Sequence, residues 1–366
     1  MTSNFARAVF AAPLVLFAST AIAQSSPTGS PDARPPMFRP QSRQLPPAAA
    51  PDMQAVLNGL AKLGARPIHS LTPAQARAQP SPADAVAVVL RRRGMSTAPD
   101  PSVVTRELAY GPDKEQVIRI YTPAGRTRGL LPTVVYYHGG GWVIANLDVY
   151  DSTPRMLSKK LNAMVVSVEY RHAPEFKFPA QHDDAVTAYR YTLANAAKWG
   201  GDTRRLAFVG ESAGGNLAIT TAIAARDQHL PMPRHIVSVY PIANSSMTLP
   251  SRRMAANAKP LSTPDLPWFG YYYTRTPADL QDPRINLVKA DLRGLPPVTI
   301  VSAQIDPLLS DGLTLTTALR RAGVSVEQRT FPGVTHEFFG MGAVVRGAEA
   351  ANNYAVGRLR PVLDRR

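Results

Sequence analysis

The sequence predicts an α/β fold: a mostly parallel, eight-stranded sheet flanked by helices on both faces, with a smaller helical cap. Three observations carry that expectation. At 366 residues the chain can bury one large core and still leave an accessory part. Beyond Pro101, short unbroken apolar runs alternate with segments of helical period, the pattern of strands buried on both faces and joined by crossover helices. Finally, the run Leu206-Ala207-Phe208-Val209 passes through Gly210-Glu211-Ser212-Ala213-Gly214-Gly215-Asn216 into Leu217 to Ala222, a strand that turns sharply into a helix.

Residues 1–23 read as an export signal. Arg7 supplies a positive start, Ala8 to Ala21 an apolar stretch interrupted by Pro13, and Ala21-Ile22-Ala23 a small-residue cleavage site before Gln24. The stretch is too short to span a membrane comfortably, and no cysteine follows to carry a lipid. Cleavage after Ala23 and a periplasmic or secreted mature protein are therefore expected, with no membrane span after processing. Residues 24–50 are rich in Pro, Ala, Ser and Arg without an apolar period, so they read as a linker. In residues 51–100, Met53, Val56, Leu57, Leu60 and Leu63 recur at helical spacing, and a second helix covers Ser81 to Arg93. Two helices ahead of the first strand suggest a cap leaning over a site built later in the chain.

Residues 101–366 carry the sheet. Val103 to Tyr110 and Gln116 to Tyr121 flank Gly111-Pro112-Asp113 and read as a hairpin. The remaining strands are Thr133 to Tyr137, Met164 to Val168, Leu206 to Val209, Ile236 to Val239, Val298 to Val301 and Val324 to Phe331.

Composition excludes some chemistry. There are no cysteines, so disulfides, thiolate nucleophiles and cysteine zinc sites are absent. Lys and Arg number 41 against 26 Asp and Glu, a formal charge of +15. That balance raises the prospect of anionic partners. Yet the cations are scattered, in runs no longer than Arg91-Arg92-Arg93 and in pairs such as Arg204-Arg205, and none is interleaved with aromatics. Nucleic acid is not an expected partner.

In an open parallel sheet the chemistry belongs at the carboxyl ends of the strands. Gly210-Glu211-Ser212-Ala213-Gly214 meets that condition as a nucleophile elbow, in which the flanking glycines leave room for a turn tight enough to expose the Ser212 hydroxyl. His138-Gly139-Gly140-Gly141-Trp142 follows the strand ending at Tyr137. Its glycines let backbone N–H groups approach a ligand, so Gly139 and Gly140, with Ala213, are the expected oxyanion hole. His138 is expected to brace this loop. A serine hydroxyl needs a base, and of seven histidines His336 is best placed, in the loop after the last strand. Asp306 stands where the strand Val298 to Val301 runs out, before Pro307. Asp311 is the competing acid, placed near the start of the next helix where a carboxylate suits the helix dipole. The order Ser212, Asp306, His336 is that of α/β-hydrolases.

From about Val103 onward the chain resembles the hormone-sensitive-lipase-like branch of the α/β-hydrolases, the bacterial family IV esterases. The resemblance rests on His138 to Trp142, on Glu169-Tyr170-Arg171-His172-Ala173-Pro174-Glu175 with Phe178-Pro179-Ala180 and Asp184, on the elbow, on Asp306-Pro307-Leu308 and on His336. It implies an α/β-hydrolase catalytic domain over 101–366, with a second cap element inserted at about 245–282. Tyr170 to Pro179 would buttress the site as a rigid loop, its internal charges Arg171 and Glu175 paired. Two residues depart from the pattern: Glu211 stands where many relatives carry Asp or Thr, and Glu337 where Gly is common. In the inserted stretch Trp268, Phe269, Tyr271, Tyr272 and Tyr273 are concentrated, and Trp142, Trp268 and Phe339 are candidates for the substrate pocket.

The resemblance implies a serine carboxylesterase acting on small, short-acyl esters through Ser212, His336 and Asp306, with no metal or other cofactor. It makes a homodimer through the last strand and its helix plausible. Two other readings stay open at this point. An amide or N-acyl hydrolase would use the same groups on a poorer leaving group, and a non-catalytic small-ligand-binding protein could occupy the same fold.

Overall fold

Alternate residues of the central strands face opposite layers, and that alternation organises the molecule. The computed structural model describes residues 47–125 and 129–365. The expected export signal, and the linker as far as residue 46, lie outside the described residues. In chain order the elements are α1 (Pro51–Lys62), α2 (Pro73–Ala78), α3 (Pro82–Arg92), β1 (Val103–Ala109), β2 (Val117–Pro123), β3 (Leu131–Tyr137), α4 (Ser152–Leu161), β4 (Met164–Val168), α5 (Ala180–Trp199), β5 (Gly201–Glu211), α6 (Ala213–Asp227) and β6 (His235–Val239). After β6 come α7 (Pro250–Met254), α8 (Asp265–Tyr273), β7 (Val298–Ile305), α9 (Leu309–Arg321), β8 (Val326–Thr335) and α10 (Arg346–Leu363).

The eight strands form one sheet in the order β1-β2-β4-β3-β5-β6-β7-β8. β2 runs antiparallel to both β1 and β4, and every other pairing is parallel. Val135 and Tyr137 of β3 point into the layer built by α5, α6 and α9, with Ala188, Leu217 and Leu315. Val134 and Tyr136 point the other way, toward Leu157 of α4 and Ala355 and Leu359 of α10. All seven residues of β3 and all five of β4 and of β6 are buried. Burial on both sides is why these strands are continuous apolar runs.

Several strands exceed their apolar runs, β5, β7 and β8 by the most. β5 begins at Gly201 because the β3 start, Leu131, pairs with it across a register shift at Pro132/Thr133. β8 continues through Pro332 and Gly333 to Thr335, and so ends directly before His336. Backbone pairing persists beyond the length that two-sided burial marks in the sequence.

The N-terminal cap contains one helix more than expected. α2 spans only six residues, too few for a period, but Thr72 caps it reciprocally with Gln75. The Ala50 N–H donates to the Gly333 carbonyl at 2.8 Å, fastening the start of α1 to β8. The stretch after β6 supplies α7 and α8.

Candidate active site

The strand β5 ends at Glu211 and α6 begins at Ala213, so Ser212 takes the whole change of direction. Its backbone sits at φ 57° and ψ −118°, a strained conformation for a residue with a side chain. The glycines permit it. A Cβ on Gly210 would lie 2.0 Å from the Gly214 carbonyl oxygen, and one on Gly214 would lie 2.0 Å from that of Tyr137.

Three chain-distant side chains meet there. His336 Nε2 lies 3.0 Å from Ser212 Oγ, and His336 Nδ1 lies 2.7 Å from Asp306 Oδ2. Asp306, just past β7, also accepts the Leu308 N–H at 2.7 Å, which fixes its carboxylate. Burial opposes charge on His336, but the surrounding carboxylates, Asp306 foremost with Glu337 and Glu211, together outweigh it and hold the imidazole above its ordinary 6.5. Asp311 is elsewhere: its carboxylate accepts the N–H groups of Ala243 and Asn244 and pairs with Arg252 at 2.8 Å. The competition between the two acids is thus a matter of geometry, with Asp306 at the imidazole and Asp311 tying the second cap to α9.

The glycine loop lies across from the elbow. Gly140 has φ 98°, and a Cβ there would come within 2.0 Å of the Ile144 carbonyl oxygen. Neither Gly139 nor Gly140 donates its N–H to a described backbone acceptor, and the Ala213 N–H opens α6, where a helix dipole favours negative charge. Beneath the loop, His138 stacks on Tyr170 with ring centroids 4.4 Å apart, and the Tyr170 hydroxyl donates to the carbonyls of His138 and Gly139. Among the described residues His138, Glu169 and His172 are buried with potential metal-ligand atoms within 4.8 Å of one another. Glu169 also accepts the Leu147 N–H, which gives it a bracing contact in this loop. The charges of the buttressing segment do not pair with each other as expected. Arg171 binds Asp184 and Glu175 binds Arg77 of α2, so the segment is held from outside.

A cavity of about 1040 Å³ opens over Ser212 and His336, walled by Leu57 and Ile68 from the first cap and by Leu266, Phe269 and Tyr272 from the second. Of the three pocket candidates, Trp142 lies on its wall, stacked on Tyr273 at 4.2 Å. Trp268 and Phe339 do not line it. The Trp268 indole donates to the Leu71 carbonyl at 2.8 Å, linking the two caps. Phe339 is buried in the layer under the sheet, beside Phe338. Adjacent aromatics in a helix point to different faces, and composition alone does not say which face is wet.

The departures named in the sequence sit at this site. Glu211 is fully buried and accepts hydrogen bonds from the Tyr136 and Tyr240 hydroxyls. Burial pushes its carboxyl up to about 7. Glu337 lines the cavity, accepts from the Tyr150 hydroxyl at 2.6 and 2.7 Å, and approaches His336 Nε2 to 3.9 Å. Tyr150 was invisible as a site residue in the sequence; its only signal was position, shortly after the glycine loop.

Residues 134–340 match the sequence profile of a family described by its α/β-hydrolase fold. The chain belongs to the α/β-hydrolase family. It is 33% identical over 308 residues to an ethyl acetate hydrolase of Pseudomonas putida, covering 83% of this chain and 95% of that one. It is 37% identical over 291 residues to carboxylesterase NlhH of Mycobacterium tuberculosis, covering 77% and 91%. An α/β-hydrolase enzyme from the metagenome of Lake Arreo, Spain, superposes with a TM-score of 0.73 at 34% identity, covering 86% of this chain and 98% of its own. Within the α/β-hydrolases the chain falls on the hormone-sensitive-lipase-like esterase branch, as its motifs implied.

Proposed function

We infer that this α/β-hydrolase is a serine carboxylesterase. The observation that carries the reading is the unbroken contact chain Ser212 Oγ, His336, Asp306 at the mouth of α6, inside a capped cavity. The relatives named as ester hydrolases support it.

His336 takes the Ser212 proton as the oxygen attacks the ester carbonyl. The developing oxyanion rests on the N–H groups of Gly139, Gly140 and Ala213, which are fixed before the reaction and need no reorganisation. Asp306 holds the imidazole so that Nε2 faces the serine, and stabilises the imidazolium that forms. Nε2 then gives its proton to the departing alcohol, and water repeats the sequence on the acyl-enzyme. The substrates are small, short-acyl esters, a reading supported by the residues of both caps that wall the cavity over Ser212.

Hydrolysis of p-nitrophenyl acetate and butyrate by the purified protein tests the reading, beside Ser212→Ala and an organophosphate-treated sample. Activity is expected in the untreated protein alone, with the phosphoryl label on Ser212. A folded protein that neither hydrolyses the esters nor takes the label would overturn it. Export with cleavage after Ala23 belongs to the same proposal, and the mass of the mature N-terminus tests it. A homodimer through β8 and α10 is the assembly the family resemblance suggests, and sedimentation equilibrium tests that.

A further inference from the structure

We propose that Glu337 is a specificity-determining residue: held by the Tyr150 hydroxyl beside His336, its carboxylate selects esters whose alcohol portion carries a hydrogen-bond donor, a hydroxyl or a protonated amine. The inference rests on the esterase reading and names the substrate class within it.

The position of the leaving group follows from the chemistry. His336 Nε2 must hand a proton to the departing oxygen, which therefore comes within hydrogen-bond reach of that nitrogen, about 3 Å. Glu337 Oε1 is 3.9 Å from the same nitrogen. Whatever the alcohol oxygen is attached to passes Glu337 on its way into the cavity, which Glu337 and Tyr150 both line.

The carboxylate has unused capacity. Two carboxylate oxygens offer about four acceptor positions. Among the described residues the Tyr150 hydroxyl is the sole hydrogen-bond donor to them, at 2.7 Å from one oxygen and 2.6 Å from the other. Among those residues its ion-pair contact is His336. Arg252, a cation on the cavity wall, is committed to Asp311. An alkyl leaving group covers these acceptors without satisfying them, which is unfavourable in a buried site, whereas a donor on the alcohol fills them.

The test compares matched butyrates differing only in the alcohol: n-propyl, 2-hydroxyethyl and 2-(dimethylamino)ethyl. Wild type is set against Glu337→Gln, Glu337→Gly and Tyr150→Phe. Glycine suits the backbone at this position, where φ is 68°. The wild type is expected to favour the hydroxyethyl over the propyl ester about tenfold in kcat/KM, and the amino ester at least as strongly. Glu337→Gly should bring both ratios close to one. Glu337→Gln should retain part of the hydroxyl preference and lose the ammonium preference, and Tyr150→Phe should weaken both. A merely structural role would lower all three esters by one common factor and leave the ratios as they were; that result overturns the proposal, as does a wild type without preference. Should Glu337→Gly not accumulate, the collapse of the ammonium preference in Glu337→Gln decides alone. A wild type inactive on p-nitrophenyl butyrate as well would instead remove the esterase reading, and this inference with it.

Discussion

His336 is the residue on which the site turns, because its two nitrogens join groups 124 and 30 positions away in sequence. Asp306 accepts from Nδ1, so Asp306→Asn should leave the fold intact and reduce kcat about 10³- to 10⁴-fold, by presenting the wrong tautomer to Ser212. Only the neutral imidazole can take the serine proton. Since the carboxylate environment holds His336 above 6.5, kcat/KM should rise with pH through a limb centred above that value. Glu337 is one of the charges that raise it, and a pH profile of Glu337→Gln should show the limb moved to lower pH. Glu211 works in the opposite sense on stability. Its folded value of about 7 exceeds the ordinary 4.5, so the folded state binds the proton more tightly. That contribution is complete below about pH 4.5 and is lost as pH rises to about 7. Denaturant unfolding between those limits should show stability falling with pH in the wild type, with a shallower fall in Glu211→Gln.

At the scale of elements, strand ends and loop glycines set the geometry that side chains then use. The Gly140 backbone is left-handed and its Cβ position is occupied by the Ile144 carbonyl, so Gly140→Ala must displace the loop. Loss of one oxyanion donor costs about 10²- to 10³-fold in kcat, and burst kinetics with p-nitrophenyl acetate should place the loss in acylation. The cap is fastened by a side chain of the short helix α2: Arg77 donates to the Val143 and Ala173 carbonyls at 2.8 and 2.7 Å while pairing with Glu175. Arg77→Ala should therefore raise KM several-fold and quicken proteolysis within residues 51–100, while the midpoint of global unfolding moves little, because α2 buries only Ala76. In the sheet layers the sign differs. Leu315 of α9 is fully buried, and Leu315→Ala should cost about 2–5 kcal/mol in urea unfolding.

Over the whole molecule, eight strands, their order along the chain and the elbow were legible in the sequence, because two-sided burial demands apolar runs and a tight turn demands glycine. The triad candidates were legible for a related reason: in a parallel sheet the strand ends collect at one edge, so position in the pattern stands in for position in space. The ends of β5 and β8 were not, since backbone pairing carries them past their apolar cores, and α2 is too short to show a period. Nor were the cavity walls. Trp142, Trp268 and Phe339 are alike in composition, yet one lines the cavity, one ties the caps together and one lies in the core. Glu337 was visible only as an unusual neighbour of His336; its meeting with Tyr150, 187 positions away, depends on how β8 and the glycine loop converge. The sequence by itself determined the fold class, the elbow and the order of the reacting groups, because each follows from local sterics and burial. Which aromatics face the cavity and what Glu337 binds were decided by tertiary structure alone, because side-chain contact between distant segments depends on distances that no local pattern encodes.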